Sequence, residues 1–285
     1  MFAIIGVIVV LSSVVGGYVL EHGNLSLLFQ PVELMIIGGA ALGAFFISST
    51  PRVFSIVLKS ITAVLGPKSQ TKGKYLELLT LLYQLFSKIR KEGLVSIEAD
   101  IENPASSPIF QKYPSVLSNH HILDFICDNL KVIVTANVPP HELDSLMEIE
   151  IDTHHHQALI PAHSISKVAD GLPALGIVAA VLGVVLTMAK INEPPAVLGA
   201  SIGAALVGTF LGVLLSYGVV GPIATNLEHQ AEEGAVPFHV IKVALVAFVG
   251  GSAPQMAVEF ARRAVPDKER PTFNELEETV RGKAK

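Results

Sequence analysis

Ionisable side chains are nearly absent from the most apolar part of the chain, which runs from Asp170 to Asn226. No residue between Asp170 and Lys190 is charged, and none is charged between Glu193 and Glu228. A charge inside a membrane is costly, so the few that occur usually mark ion relays or substrate paths. Either this segment moves no ions, or a second chain supplies the ionisable group.

Asp170 is the first residue of this segment and the ionisable residue nearest to its uncharged part. Pro173 and Pro222 lie near the two ends of the segment. The Asp170 carboxylate could transfer protons, or it could cap the helix that follows it. Proline removes a backbone donor and kinks a helix, so two prolines at one depth predict a hinge or vestibule. Prolines are also tolerated at helix ends, and the residues leave both alternatives open.

Small residues recur on one face of each half of the segment. One half carries Gly176, Ala179, Ala180, Gly183 and Thr187, and the other carries Ala200, Ala204, Gly208, Gly212 and Ser216. Such stripes allow close helix packing in membranes. Thr209 and Tyr217 lie one position round from the second stripe. The stripes fit a pore wall and ordinary helix packing equally well.

Metal, cofactor and enzyme chemistry have little support in the sequence. His120 and His121 are adjacent, as are His154, His155 and His156, whereas helical metal ligands are spaced three or four residues apart. We find no phosphate loop, no glycine-rich fingerprint and no nucleophile triad. We predict no metal, no cofactor and no enzymatic activity, and a net charge of −5 argues against a nucleic-acid partner.

Composition and periodicity indicate the elements that hold these residues. The chain is 51% hydrophobic and 16% charged, against about 25% charged in soluble proteins. We predict an all-α membrane protein: four transmembrane helices with a large helical cytoplasmic insertion. The predicted helices are 1–20, 34–51, 168–190 and 199–226; 21–33 and 191–198 are short periplasmic loops, 52–167 is the insertion and 227–285 is a cytoplasmic C-terminal segment. None of the four spans holds an ionisable residue in its interior.

Basic residues predict the orientation in the lipid bilayer. Of 20 Lys and Arg, eleven lie in 51–167 and eight in 228–285, and the loop between the first two helices has none. Because Lys and Arg stay on the cytoplasmic side, the insertion and both termini are predicted to be cytoplasmic. The charged tail after Pro266 is expected to be mobile or only weakly helical.

A basic and an acidic group lie side by side in RKEGLVSIEADIE, residues 90–102. Arg90 and Lys91 precede Glu98, Asp100 and Glu102. Such a patch can dock a partner of complementary charge. From the residues alone, a solvated charged face is the favoured interpretation.

Several stretches resemble the MotA family of flagellar motor stator subunits, within the MotA/TolQ/ExbB proton channel family. They are VVGGYVLEHGNLSLLFQPVELMIIGGAALGAF, RKEGLVSIEADIENP, ADGLPALGIVAAVLGVV, GTFLGVLLSYGVVGP and the tail after Ala264, so the resemblance covers essentially the whole chain. It implies a bacterial inner-membrane protein that forms a homo-oligomer, expected to be a pentamer, around a dimer of MotB. A MotB-like single-span subunit would carry the membrane carboxylate and thus the proton.

The resemblance also implies roles for single residues. Pro173 and Pro222 match prolines of the conformational step coupled to proton passage. Thr209 matches the threonine facing the partner carboxylate, and Ala180 a position typical of proton-driven rather than sodium-driven stators. Arg90 and Glu98 match residues that engage the rotor protein FliG, which reverses the preference for a merely solvated face.

The resemblance therefore implies a stator subunit that forms a proton channel with MotB and converts proton flow into torque on the rotor. One alternative is an ExbB/TolQ-like energiser of outer-membrane processes, which usually has three spans. The other is a non-conducting structural membrane bundle. A neighbouring gene for a single-span protein with a membrane-embedded Asp would favour the stator.

Overall fold

A computed structural model describes residues 2–64, 71–136 and 138–281, and within these ranges the chain is helical with no strand. The helices are α1 (Phe2–Leu20), α2 (Leu25–Leu28), α3 (Pro31–Ser48), α4 (Pro51–Val64), α5 (Lys72–Glu92), α6 (Glu98–Glu102), α7 (Pro114–Leu117), α8 (His120–Thr135), α9 (Pro140–Met188), α10 (Pro195–Leu215), α11 (Gly221–Val249), α12 (Pro254–Arg263) and α13 (Phe273–Val280). Single 3₁₀ turns occur at Leu94–Ile97, Pro104–Ser106 and Phe110–Lys112, and a π turn at Ser216–Val220 joins α10 to α11. The all-α prediction is confirmed.

Four helical stretches are long and apolar enough to cross a membrane, as predicted. They are Phe2–Leu20, Leu25–Ser48, Pro140–Met188 and Pro195–Val249. A crossing needs about 20 residues, so the 49 residues of α9 exceed what one crossing requires. The stretch predicted to cross, 168–190, overlaps the apolar end of that helix.

The chain divides into two compact units. The first, which we call the membrane unit, comprises Met1–Lys68 and Ala158–Gln230. Its apolar core includes Phe45, Val57 and Leu227. Helix α1 has no buried residue along its described length, and apolar side chains such as Ile8 are more than half exposed. Exposed apolar side chains are expected where a helix faces lipid instead of water.

The second unit, which we call the helical unit, comprises Ser69–Gln157 and Ala231–Lys285. Its core surrounds α5, whose apolar residues recur three and four positions apart and are fully buried at Leu82 and Phe86. The Phe86 ring stacks on Phe248 with centroids 4.3 Å apart, and Phe125 meets Phe238 edge-on at 5.1 Å. Helices α5, α8 and α11 therefore share one hydrophobic core.

The chain after Pro266 is more ordered than the sequence analysis expected. The Thr272 hydroxyl accepts a hydrogen bond from the Glu275 amide, and the Glu275 carboxylate accepts one from the Thr272 amide, which together form a capping box at the start of α13. Leu276 is buried, and Lys72 lies 2.7 Å from Glu275. The tail was expected to be mobile or only weakly helical, and the structure shows a helix of eight residues there, whose start signal and buried leucine the high charge content concealed.

Candidate functional site

Helices α9 and α10 pack backbone against backbone through glycines. A methyl group on Gly212 would lie 2.6 Å from the carbonyl oxygen of Leu172, and one on Gly176 would lie 2.7 Å from the carbonyl oxygen of Gly208. No side chain fits in this space, so only glycine permits the observed approach. Both predicted small-residue stripes contribute to this interface: Gly176, Gly208 and Gly212 are all buried.

Ala180 and Thr209, which the sequence assigned to the proton path, lie at the same interface. The backbone nitrogen of Ala180 would be 3.1 Å from a methyl group on Gly208, and Ala180 is only 8% exposed. The Cα of Thr209 would be 3.3 Å from a methyl group on Gly176. Thr209 itself is half-buried, so its side chain remains partly accessible to a neighbouring molecule.

Glu33 is a buried carboxyl group at this interface that the sequence analysis did not include. It was assigned to the loop 21–33, whereas the structure places it in the first turn of α3 with 9% of its surface exposed. Its Oε2 would lie 2.8 Å from a methyl group on Gly208, and its Oε1 would lie 3.5 Å from one on Gly183. An ionisable residue therefore lies against the uncharged parts of the helix pair, the stretch of α9 after Asp170 and the whole of α10.

A sequence signal for the position of Glu33 was available. Proline favours the first position of a helix, because its missing amide hydrogen would have no partner there. Pro31 occupies that position in α3. Reading Pro31 as the helix start would have placed Glu33 inside the helix rather than in the loop.

The two predicted hinge prolines lie in interrupted helical segments. Pro173 is inside α9, where it cannot donate to the carbonyl of Ala169. Pro222 follows directly after the π turn, in which the Gly221 amide donates to Ser216 five residues back. A π turn adds one residue to the helical repeat, and such turns frequently occur at functional sites. The alternative that both prolines merely sit at helix ends does not hold for Pro173.

A cleft of about 560 Å³ opens beside Pro222 in the membrane unit. Its lining comprises Ser166, Ala169, Asp170, Ser216, Tyr217, Gly221, Pro222, Thr225, Asn226 and His229. Asp170 lies well inside α9, so the alternative that it caps a helix start was wrong. The cleft places a carboxylate, hydroxyls and an amide next to the π turn.

Arg90 and Glu98 lie close in sequence on one exposed surface of the helical unit. Arg90 is in the last turn of α5 and Glu98 begins α6, and both are exposed. Neither forms an ion pair with any residue in the described ranges. Leu94 and Val95 lie between them with exposures of 40% and 70%. We call these four residues the charged ridge.

A partly buried ion pair joins the two helices that carry the charged residues of the ridge. Lys88 lies 2.8 Å from Asp100 Oδ2, and the Ser107 hydroxyl donates to Asp100 Oδ1 at 2.6 Å. Gly93 turns the chain between α5 and the 3₁₀ turn with a φ of 89°, which a side chain rarely adopts. Ile97, next to Glu98, is fully buried, so this end of the charged ridge is anchored in the core.

The histidines do not form a metal centre in the part of the chain that the structure describes. The His154 ring lies 5.2 Å from that of His121 and 4.5 Å from that of Phe238. Burial lowers the pKa of His154, and the neighbouring His121 and His155 lower it further. His154 is therefore a packed histidine of the helical unit core.

Fold and site together define a polytopic helical membrane protein in which two glycine-packed spans adjoin one buried carboxyl group. Two family models match the chain: Motility protein A N-terminal over residues 4–93, and the MotA/TolQ/ExbB proton channel family over residues 118–237. Motility protein A of Salmonella typhimurium is 45% identical over 281 residues, covering 99% of this chain and 95% of that protein. Chemotaxis protein LafT of Vibrio parahaemolyticus is 34% identical, covering 96% of each chain.

A solved structure shares the fold. The flagellar MotAB stator complex from Bacillus subtilis contains a chain that matches with a TM-score of 0.75 and 22% identity, covering 94% of this chain and 97% of that one. The chain belongs to the MotA/TolQ/ExbB proton channel family, and within it to the motility protein A branch of flagellar stator subunits. The resemblance drawn from the sequence is confirmed.

Proposed function

We propose that this stator subunit conducts protons together with a MotB-like single-span partner and turns their passage into torque. The observation that carries the proposal is the glycine-packed contact between α10 and the part of α9 after Asp170, which includes Ala180 and Thr209 but no charged side chain. A partner carboxylate beside Thr209 would complete the path. The MotAB complex of Bacillus subtilis supports such a partner.

The assembly we propose is a homo-oligomer, a pentamer by the family resemblance, around the partner. In such an assembly, the exposed apolar faces of the membrane unit would contact either neighbouring copies or lipid. The basic residues of 51–167 and 228–285 support placing the helical unit and both termini in the cytoplasm. In that orientation the cleft at Pro222 opens toward the cytoplasm and the α9–α10 connection toward the periplasm.

Proton passage would be coupled to movement at Pro173 and Pro222. A unit charge crossing 100 mV releases about 2.3 kcal/mol, which is enough to bias a two-state helix arrangement. The Ala169 carbonyl, to which Pro173 cannot donate, and the π turn supply backbone that can rearrange at low cost. The exposed charges of Arg90 and Glu98, which form no ion pair within the described ranges, support a rotor contact, and FliG is the partner we propose for the charged ridge.

Complementation of a strain that lacks both stator genes tests this function. Co-expression of this chain with the MotB-like protein of its own organism should restore swimming and tethered-cell rotation. Rotation should stop when the proton gradient collapses and continue when the sodium gradient is removed. Rotation that follows the sodium gradient would refute proton coupling, and paralysed cells with both proteins at normal membrane levels would refute the stator function with that partner.

A further inference from the structure

Glu33 is the strongest unexplained group in the membrane unit. Its side chain is 91% buried, and its Oε2 has no hydrogen-bond partner within the described residues. Buried polar atoms are nearly always hydrogen-bonded, and an unpaired one calls for an explanation such as a function, a proton or an unseen partner. A proton on Oε2, or a donor from a molecule other than the described part of the chain, would satisfy this oxygen.

Glu33 fits at this interface because the neighbouring positions on α9 and α10 are glycines. Its Oε2 lies only 2.8 Å from the methyl position on Gly208, so a side chain there would displace it, and its Oε1 lies in van der Waals contact with the methyl position on Gly183, at 3.5 Å. The Ala180 nitrogen and the Ala179 Cβ would lie 3.1 Å and 3.2 Å from the methyl position on Gly208, so they border the same space. The slot therefore joins Glu33 directly to the wall that carries Ala180.

Glu33 forms no salt bridge within the residues that the structure describes. Helix α9 has no ionisable residue between Asp170 and Lys190, and the segment that contains α10 has none between Glu193 and Glu228. The rest of α2 and α3 carries none either. Lys190 and Glu193 lie in the connection between α9 and α10 and are exposed to solvent. A structural ion pair thus does not account for the burial of this carboxyl group.

The depth of Glu33 places it between one membrane surface and the predicted proton-path residues. Gly183 lies five residues before the end of α9 at Met188, about 7.5 Å at 1.5 Å per residue. Ala180 is one further turn along the same helix. In the proposed orientation, a proton entering from the periplasm would reach the level of Glu33 before that of Ala180 and Thr209.

We propose that Glu33 is a proton relay on the periplasmic side of the stator's ion path, an inference that rests on the proposed function. The Glu33 carboxylate accepts a proton from hydronium, which leaves as water, and becomes a neutral carboxylic acid. The acid then releases that proton, directly or through water, to the carboxylate of the partner subunit and returns to the anion. The atoms and charges of both steps balance without any other reactant.

Glu33→Gln and Glu33→Asp separate this role from a structural one. Glutamine keeps the size and hydrogen-bonding capacity but cannot exchange a proton, whereas aspartate keeps the titratable group. In the complemented strain, Glu33→Gln should reduce the low-load rotation rate by about tenfold while leaving the stall torque within about twofold of wild type. The physical reason is that a relay limits how fast protons arrive, whereas stall torque depends on the free energy per proton, which no residue changes. Glu33→Asp should recover at least half of the lost rate.

Two further readouts identify the proton itself. The low-load rate of the wild type should depend on external pH and slow in D₂O, and Glu33→Gln should change both dependences. Glu21→Gln is the matched control. It removes an exposed carboxylate directly after the end of α1, and the variant should behave as wild type. Membrane levels and co-purification with the MotB-like partner are measured for every variant.

The outcomes distinguish the relay from the stator function. If wild type fails to rotate the motor, the proposed function fails. If wild type rotates and Glu33→Gln matches it in rate, pH profile and isotope effect, the relay is overturned. A fall in stall torque equal to the fall in rate, or no recovery with Glu33→Asp, also overturns it and assigns Glu33 to helix packing. If Glu33→Gln does not assemble, infrared difference spectra of the assembled Glu33→Asp complex against wild type must show a shifted protonated carboxyl band, and its absence overturns the relay.

Discussion

The ammonium group of Lys88 lies 2.8 Å from a carboxylate oxygen of Asp100, and this pair joins the last turns of α5 to α6 beneath Arg90 and Glu98. The Asp100 side chain is 9% exposed and that of Lys88 is 29% exposed. Charged side chains on a mobile surface segment would be fully exposed to solvent. The partial burial of this pair indicates that the chain holds the charged ridge in a fixed position, which suits the rotor contact that we propose.

Asp100→Asn should destabilise the helical unit by about 1–3 kcal/mol, because it keeps the Ser107 contact but leaves the Lys88 ammonium without its counter-charge. The buried Cys127 is the only cysteine, and burial raises the pKa of its thiol to about 12, so its labelling by a thiol reagent reports opening of this unit. Labelling should accelerate about 5- to 100-fold. Arg281→Met, which breaks the surface Arg281–Glu277 pair of α13, is the control and should leave the rate nearly unchanged.

Arg90→Glu should abolish or strongly impair motility while Cys127 labelling stays at the wild-type rate. Arg90 is exposed and unpaired in the described structure, so its reversal alters the surface potential and not the core. A compensating charge reversal in the rotor protein should restore part of the swimming speed, and complete independence of the two changes would contradict direct contact. Lys112→Glu makes the same charge change elsewhere on the helical unit and should swim normally.

Gly212→Ala should disrupt the α9–α10 packing, because its methyl group would come within 2.6 Å of the Leu172 carbonyl oxygen. Backbone atoms cannot rotate away, so the helices must separate, at a typical overpacking cost of about 1–3 kcal/mol. We expect a lower melting temperature in detergent and loss of motility. Gly203→Ala is the control, since a methyl group there meets nothing within 4 Å. Equal effects of the two substitutions would contradict close packing at Gly212.

Much of the fold follows from the sequence, because hydrophobic length and helical periodicity are local properties. The stripe through Gly208 and Gly212 predicts a packing face for the same reason. Which helix would fill the space beside Gly183 and Gly208 depends on contacts between distant segments, and the Glu33 carboxyl group that enters it could not be inferred from spacing. Likewise, charge content concealed the docking of α13 through Leu276.

Pro173→Ala and Pro222→Ala should each reduce motility severely while membrane levels stay near normal. Alanine supplies the amide hydrogen that proline lacks, so the Ala169 carbonyl in α9, or the backbone at the π turn, gains a helical hydrogen bond. The helix would then be more regular and more stable, yet less able to change shape. Tethered-cell rotation and immunoblots of membranes measure the two properties.

Pro161→Ala is the matched control for these substitutions. Pro161 also lies inside α9 and within the membrane unit, but it does not line the cleft at Pro222. It should rotate the motor normally. If all three substitutions impair rotation equally, the effect belongs to proline removal in general and not to the hinge that we propose.

The stability of the helical unit should fall as pH decreases below about 6.5, and His154 should account for part of the loss. Burial, first, and then His121 and His155 lower the pKa of His154 in the folded state below its unfolded value of about 6.5. The folded state therefore binds fewer protons than the unfolded state in this window, so stability is fully present above the unfolded pKa and is lost as pH falls toward the folded one.

His154→Gln should flatten this pH dependence, because the glutamine does not titrate. Melting temperatures by far-ultraviolet circular dichroism between pH 7.5 and 5 measure it, since thiol labelling is itself sensitive to pH. The variant loses the ring contact with Phe238, so it should be less stable than wild type at pH 7.5, and the difference should narrow toward pH 5. His156→Gln, at an exposed position of the same helix, should retain the wild-type slope. A constant difference between His154→Gln and wild type across the range would mean that His154 contributes packing alone.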